Sequence, residues 1–281
     1  AELGIATVAV APVDDRASAH VAASDEFHEL PGQGAAAYLS IEAMLEIAGR
    51  AGCDAVHPGY GFLSESAAFA RAAAAKGITF IGPAPEALDL FGDKAKARAL
   101  ARSCGVAVPD GNDSTATREQ AVAFLDQLGP GGAIMIKAVA GGGGRGMRIV
   151  RAPAELDAAW QRCQSEAKAA FGNDALYVER YLPSVRHIEV QVVGDGASVI
   201  HLGERECTIQ RRHQKLIEIA PSPGLSAATR KAICDAAIIM AAKVGYRSLS
   251  TFEFLVPTDG DSFVFIEANP RLQVEHTVTE E

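Results

Sequence analysis

The chain has no C-x-x-C pair, no apolar run of transmembrane length and no surplus of basic residues, and each absence counts against a class of function. The five cysteines, Cys53, Cys104, Cys163, Cys207 and Cys234, are scattered and odd in number. That argues against a disulfide frame or a zinc site. It fits reduced thiols in a cytoplasmic compartment, or the mitochondrial matrix in a eukaryote. None of the seven histidines has a partner at zinc-ligand spacing. With no long hydrophobic segment and no signal peptide, the expectation is no membrane partner. A net charge of −9 and a pI near 5.3 count against nucleic acid as a partner and leave room for a local phosphate site. Low-complexity segments and internal repeats are missing too.

What is present reads as a soluble α/β protein. At 281 residues, 48% hydrophobic and 22% charged, the chain has the length for one large or two ordinary domains. In the first eighty or so residues, the apolar runs "IATVAV", "DAVHPG" and "ITFIGP" alternate with the helical stretches "YLSIEAMLEIAGRAG" and "SAAFARAAAAKG", each closed by glycine. This predicts a parallel α/β sheet, whose ligands gather at strand C-terminal ends. The turn His57–Glu65 follows one such end and reads equally as a connection or a ligand-facing loop. "PEALDLFGDKAKARALARSCGV" predicts two helices interrupted near Gly92, and Thr117 is placed to N-cap "REQAVAFLDQLG". From about Gly132 the strands "AIMIKAV", "MRIV", "ALYVERYL", "RHIEVQVV", "ASVIHLGE", "STFEFLV" and "SFVFIE" predict a mostly antiparallel unit, interrupted by the helix "SAATRKAICDAAIIMAAKVG". The opening "AELGIATVAV" and the closing "TVTEE" read as cut ends of a longer polypeptide.

Three stretches carry chemistry. In "AGGGGRGM" (Ala140–Met147), four glycines stand between the strands "AIMIKAV" and "MRIV", with Lys137 just before them. A Walker loop or a dinucleotide fold would need a helix next, so the pattern predicts a glycine hairpin able to fold over a polyphosphate. In "STFEFLVPTDGDSFVFIE", a hairpin centred on Gly260 puts Phe254 opposite Ile266, Val256 opposite Val264 and Glu253 opposite Glu267. Opposed carboxylates about 5 Å apart repel, and a divalent magnesium or manganese ion would reverse that sign. In "EANPRLQVEH", Glu267, Asn269, Arg271, Gln273 and Glu275 line one face if the chain stays extended, with Pro270 placed to bend it. "ERECTIQRRHQK" (Glu204–Lys215) puts His213 and Lys215 on one face if extended, suited to a small anion. Arg211 and Arg212 there read as a solvated face. His187, on position alone, is as readily structural as ligand-binding.

Together, "HPGYGFLSES", "GDKAKAR", "KAVAGGGGRGM", "RHIEVQVVGDG", "ERECTIQRRHQK" and "FIEANPRLQVEHTVTE" resemble the biotin carboxylase component of biotin-dependent carboxylases, within the ATP-grasp superfamily. The resemblance implies a Rossmann-like parallel α/β domain over 1–82 and a helical linker entering the ATP-grasp fold over 83–131. A lid subdomain with the glycine hairpin would follow over 132–180, and an incomplete C-terminal lobe over 181–281. It implies that MgATP and bicarbonate form carboxyphosphate and that the carboxyl group passes to biotin on a carrier protein. Lys94 and Lys137 would contact ATP phosphates, with Gly141, Gly142, Gly143 and Gly144 as the lid. Glu179, Arg180, Tyr181 and Leu182 would read adenine, and His187, Gln210 and His213 would finish the pocket. Glu253, Glu267 and Asn269 match the metal ligands (Mg2+ or Mn2+). Lys215, Arg271 and the Val274 backbone match the bicarbonate site, with Glu275 as general base. The implied partners are a biotin carboxyl carrier domain, a carboxyltransferase domain and a second copy of the chain. The family's usual opening strand would precede this chain, and a further bicarbonate-contacting arginine would follow it. Another ATP-grasp ligase of the carbamoyl-phosphate synthetase type, and a catalytically silent nucleotide-binding module, are the competing expectations.

Overall fold

The two longer helices of the first eighty residues start at capping serines and are followed by glycines. In the computed structural model, which describes residues 3–112, 114–139, 146–211, 214–258 and 260–281, the chain divides between Leu88 and Asp89 into two units. In the first, β1 (Val8–Ala11) and β2 (Glu26–Glu29) pair in parallel, with α1 (Ala19–Ala22) between them in sequence. Next come α2 (Gly34–Ala37) and α3 (Ile41–Arg50); then β3 (Ala55–Val56), α4 (Ala67–Ala75) and β4 (Thr79–Phe80), with β3 and β4 parallel. Ser40 and Ser66 accept from the Ala43 and Phe69 amides and so cap α3 and α4. Just past these helices, Gly52 and Gly77 adopt φ of 66° and 72°, which strains any residue with a side chain. Leu45, Ala48, Phe69, Ala73 and Ile78 make the core. The parallel arrangement is as expected, but as two separate pairs. The polar "EFHE" of β2 carries no apolar run to announce it.

The helix α5 (Pro85–Phe91) leads into the second unit. There Asp93 caps α6 (Lys94–Ser103), and Thr117 with Gln120 forms a capping box on α7 (Arg118–Leu128). Strand β5 (Ile134–Ala138) lies between β6 (Met147–Val150) and β7 (Leu176–Arg180) in a three-stranded antiparallel sheet. The expected pairing of the strands flanking the glycines is therefore present; Ala140–Gly144 themselves lie outside the described residues. The pattern reading assigns no element to residues 153–171, where the structure has the 19-residue helix α8 (Pro153–Phe171). Its signals are local: Pro153 in the first turn, buried Leu156, Trp160, Cys163 and Ala167 at helical spacing, and Gly172 in the left-handed region at the end.

Strands β8 (Val185–Asp195), β9 (Val199–Arg211), β10 (Gln214–Ile219), β11 (Arg247–Pro257) and β12 (Val264–Asn269) form an antiparallel sheet in the order β10-β9-β8-β11-β12. The helix α9 (Ala227–Lys243) packs on β8 and β9. One face of the sheet is apolar, built from Ile188, Val190, Val192, Phe252, Phe254, Val256 and Phe265. Phe91 meets Phe252 edge-on at 5.4 Å. The alternate residues His187, Glu189, Gln191, Thr251, Glu253, Glu267 and Asn269 share the other face.

One expectation is corrected here, and the bend expected at Pro270 is present. Glu253 does face Glu267, but a bulge follows, so Phe254 faces Phe265 instead of Ile266, and Val264 faces Leu255 instead of Val256. The polar line from Glu267 ends at Asn269. After Pro270 the chain turns, burying Gln273 and exposing Val274, and continues into α10 (His276–Glu280).

Candidate active site

Across four neighbouring strands, Arg205, Glu189, Glu253 and Glu267 stand directly opposite one another in a single row. Three carboxylates side by side on a sheet repel, and Glu189 and Glu253 are buried as well. Cations from outside the row relieve them. Lys215 on β10 donates from Nζ to Glu189 Oε2, to Glu253 Oε1 at 3.2 Å and to Glu275 Oε1 at 2.8 Å. Lys94, in the first turn of α6, donates to Glu267 Oε2 at 3.0 Å. His187 Nε2 lies 2.6 Å from Glu253 Oε2, and the Asn269 amide donates to Glu253 Oε1 at 2.8 Å. The Gln210 amide donates to the Cys207 carbonyl at 2.8 Å and meets His187 Nδ1 at the same distance. That amide orientation selects the tautomer with the proton on Nε2, facing Glu253.

A second cluster sits on the three-stranded sheet. Glu179 on β7 pairs through Oε1 with Lys137 on β5, and its Oε2 accepts from Arg98 Nη1 at 3.4 Å. Arg98 is buried and donates from Nη2 to the Pro109 carbonyl at 2.7 Å. Lys94 joins the clusters, since Glu179 and Tyr177 act on its charge as well as Glu267. A cavity of about 190 Å³ adjoins it, lined by Asp93, Lys94, Arg98, Asn112, Val139 and Tyr177 among others.

Burial and pairing oppose each other at each charge. Burial alone would lower the lysines; Glu267 outweighs it at Lys94, Glu179 at Lys137, and Glu253 with Glu189 at Lys215, and all three stay above the ordinary lysine range. Burial likewise opposes the His187 imidazolium, and Glu253 prevails and raises it. Burial would raise Glu253, but His187 and Lys215 hold it below the usual carboxylate range. Glu275 is lowered in the same way, against burial, by its bond to Lys215. Glu218 goes the other way: burial beside Cys207 pushes it up to about 7.

Lys94, Lys137, Glu179, His187, Gln210, Lys215, Glu253, Glu267, Asn269 and Glu275 thus stand in two linked networks. Arg271 lies on their margin, its Nη2 3.5 Å from Asn269 Oδ1. Arg180 is exposed beside Asp110, Tyr181 stacks under Arg151 at 5.4 Å, and Leu182 is half-buried at the end of β7. His213 and Gly141–Gly144 lie outside the described residues. Sequence reasoning passed over Glu189, Arg98 and Arg205. Glu189 was within reach, because His187, Glu189 and Gln191 alternate on one face of β8. The arginines were not, since their partners lie up to 81 residues away.

Residues 93–281 match the family described as Carbamoyl-phosphate synthase L chain, ATP binding domain, and residues 1–88 match Biotin carboxylase, N-terminal domain. Pyruvate carboxylase of Bacillus subtilis (strain 168) is 52% identical over 283 residues, which cover 99% of this chain and 24% of that protein. A crystal structure of a Campylobacter jejuni biotin carboxylase–nucleotide complex aligns with TM-score 0.95 and 42% identity over 99% of this chain and 63% of that one. The biotin carboxylase domain of Hydrogenobacter thermophilus 2-oxoglutarate carboxylase, in complex with MgADP, ADP and bicarbonate, also aligns with TM-score 0.95 and 42% identity, over 99% of this chain and 61% of that one. The chain therefore spans about a quarter of the Bacillus relative and less than two thirds of these structures. With a biotin carboxylase N-terminal domain followed by an ATP-binding domain, and close structural agreement with solved biotin carboxylases throughout, the chain belongs to the biotin carboxylase family of ATP-grasp proteins.

Proposed function

We propose that the protein containing this chain carboxylates biotin on a carrier domain, using MgATP and bicarbonate. One observation carries the reading: a single half-buried ammonium, Lys215, touches both Glu275 and Glu253. It thereby sets a proton acceptor one hydrogen-bonded cation away from a carboxylate suited to a metal. Bicarbonate reacts poorly with ATP until it loses its proton. Glu275, kept ionised by Lys215, accepts that proton, while Lys215 and Arg271 hold the resulting anion and the Val274 backbone borders it. The freed oxygen attacks the terminal phosphorus of ATP, the bond to the ADP oxygen breaks, and carboxyphosphate forms. Its carboxyl group then passes to the ureido nitrogen of biotin as inorganic phosphate leaves, and that phosphate takes up the nitrogen's proton.

The row of carboxylates fits a hard divalent ion. Glu253 and Glu267 face each other in register with the Asn269 amide beside them, an all-oxygen donor set for Mg2+ or Mn2+. Bound there, the ion would supply charge neutralisation for the phosphates. Lys94 and Lys137 then bind phosphate oxygens, with Gly141–Gly144 closing over them. Glu179, Arg180, Tyr181 and Leu182 take the adenine edge, and His187, Gln210 and His213 complete the pocket. The lid subdomain is assigned to 132–180 and the C-terminal lobe to residues from 181 onward.

A carrier domain, a carboxyltransferase domain and a second copy of the chain are the partners proposed. Among the described residues no helix is long and apolar enough to cross a membrane, and all five cysteines are free thiols. A cytoplasmic or matrix location is the reading these features support. The test is ATP hydrolysis by the full-length polypeptide with free biotin, with and without bicarbonate. Hydrolysis that rises with bicarbonate supports the reading, and hydrolysis indifferent to it removes it.

A further inference from the structure

We infer that Arg205 is the positioning residue that folds the turn after β12 and so brings Glu275 onto Lys215; the inference rests on Glu275 being the base. Arg205 is fully buried, and four side chains take its donors. Nε and Nη2 lie 2.6 and 2.5 Å from Glu189 Oε1. Nη1 donates to Gln191 Oε1 at 3.0 Å and to Thr279 Oγ1 at 2.6 Å, and Nη2 donates to Gln273 Oε1 at 3.2 Å. Glu189 and Gln191 belong to β8, in the body of the sheet. Gln273 and Thr279 lie two residues before and four residues after Glu275.

An extended chain would carry Glu275 about 13 Å past Arg271, out of reach of a shared small ion. The turn brings it back, and Arg205 is the side chain that ties both flanks of Glu275 to the sheet. Neutralising Glu189 would need only one edge of the guanidinium. The remaining donors go to three uncharged groups: Gln191, in the sheet, and Gln273 and Thr279, which flank Glu275. A planar fork with fixed donor directions can hold such a set at once, which a lysine ammonium cannot. Glu189 extends the same chain of contacts, because its other oxygen meets Lys215. Arg205 therefore fixes the Lys215–Glu275 pair from both sides, without touching Glu275 through any hydrogen bond.

Arg205→Lys and Thr279→Val, made in the full-length polypeptide, test this. A displaced base costs rate steeply with distance, so Arg205→Lys should raise the bicarbonate KM and lower kcat by about tenfold each. Thr279→Val, which removes one of the two ties to the turn, should do the same by about threefold. MgATP affinity by calorimetry should stay within about twofold of wild type in both, because no nucleotide residue is bonded to Arg205. Hydrogen exchange should quicken over residues 270–281 and stay unchanged in β11. Unchanged bicarbonate kinetics in a folded variant would overturn the inference, as would MgATP affinity falling in step with kcat. If Arg205→Lys does not fold, Thr279→Val alone decides by the same readings. A wild-type enzyme without bicarbonate dependence would instead remove the proposed function, and this inference with it.

Discussion

Glu218 and Glu275 lie on opposite sides of the ordinary carboxylate pKa, and the difference is measurable. Cys207 Sγ donates to Glu218 Oε2 at 2.6 Å, while Glu218 Oε1 is buried without a hydrogen-bond partner. With its pKa up at about 7 against 4.5, Glu218 stabilises the fold fully below pH 4.5, and that contribution is lost as pH rises through 7. The group is only half-buried, so solvent screening leaves about 1 kcal/mol of this effect. Glu218→Gln keeps the shape of the protonated acid. It should melt with wild type at pH 5 and about 2–4 °C above it at pH 8. An equal difference at both pH values would show that the carboxyl does not titrate there. Glu275 has the opposite sign, lowered by Lys215 and ionised at neutral pH. Glu275→Gln preserves hydrogen bonding but removes the acceptor. Bicarbonate-dependent ATP cleavage should fall about 10²-fold or more while MgATP affinity holds, and a variant retaining most of the rate would send the base elsewhere.

At the scale of elements, β7 is held by a segment with no strand of its own. The Asp110 carbonyl accepts from the Arg180 amide at 2.7 Å, the Asn112 amide donates to the Val178 carbonyl at 3.0 Å, and Gly111 faces Glu179. A Cβ on Gly111 would meet the Val178 carbonyl oxygen at 2.4 Å and Glu179 Cα at 2.7 Å, both backbone atoms that cannot swing aside. Gly111→Ala should therefore cost about 1–3 kcal/mol, read as a lower urea midpoint, and weaken ATP binding by displacing Glu179. An unchanged midpoint and affinity would mean that the segment yields freely. Such close approaches are hard to find in a sequence. Strand alternation with period two made Glu253 facing Glu267 legible, but the pairs nearest the turn, Leu255–Val264 and Phe254–Phe265, are one residue off a register centred on Gly260, and the bulge restores that register at Glu253. The bend after Asn269 was legible as a proline. Helix α8 has only local signals, namely Pro153 in its first turn, apolar residues at helical spacing and Gly172 at its end, and is legible from those alone. The Arg205 fork, reaching 74 residues along the chain to Thr279, exists only after folding.

For the whole chain the question is how a net charge of −9 is compatible with the polyphosphate proposed as its ligand. Its average field opposes the ligand, so attraction has to be local. Lys94 and Lys137 supply two charges, but both are already committed, to Glu267 and Glu179. Moving them onto phosphates would leave carboxylates uncompensated in a buried row, a cost that cancels much of the gain. A divalent ion held by Glu253 and Glu267 would remove that conflict, because its charge would offset the row and leave Lys94 available to the ligand. Nucleotide and metal should therefore bind as a pair. A ligand at 100 times its Kd adds about 2.7 kcal/mol of stability, so MgATP at that level should raise the melting temperature by about 5–10 °C. The same ATP with chelator should raise it by less than about 2 °C, since the charge conflict persists. Glu267→Gln leaves Lys94 without its partner carboxylate and removes one of the proposed ligands of the ion. In that variant the two shifts should converge, with ATP alone gaining and MgATP losing. Equal shifts with and without magnesium in the wild type would mean that the lysines suffice and that the facing carboxylates serve some purpose other than a metal.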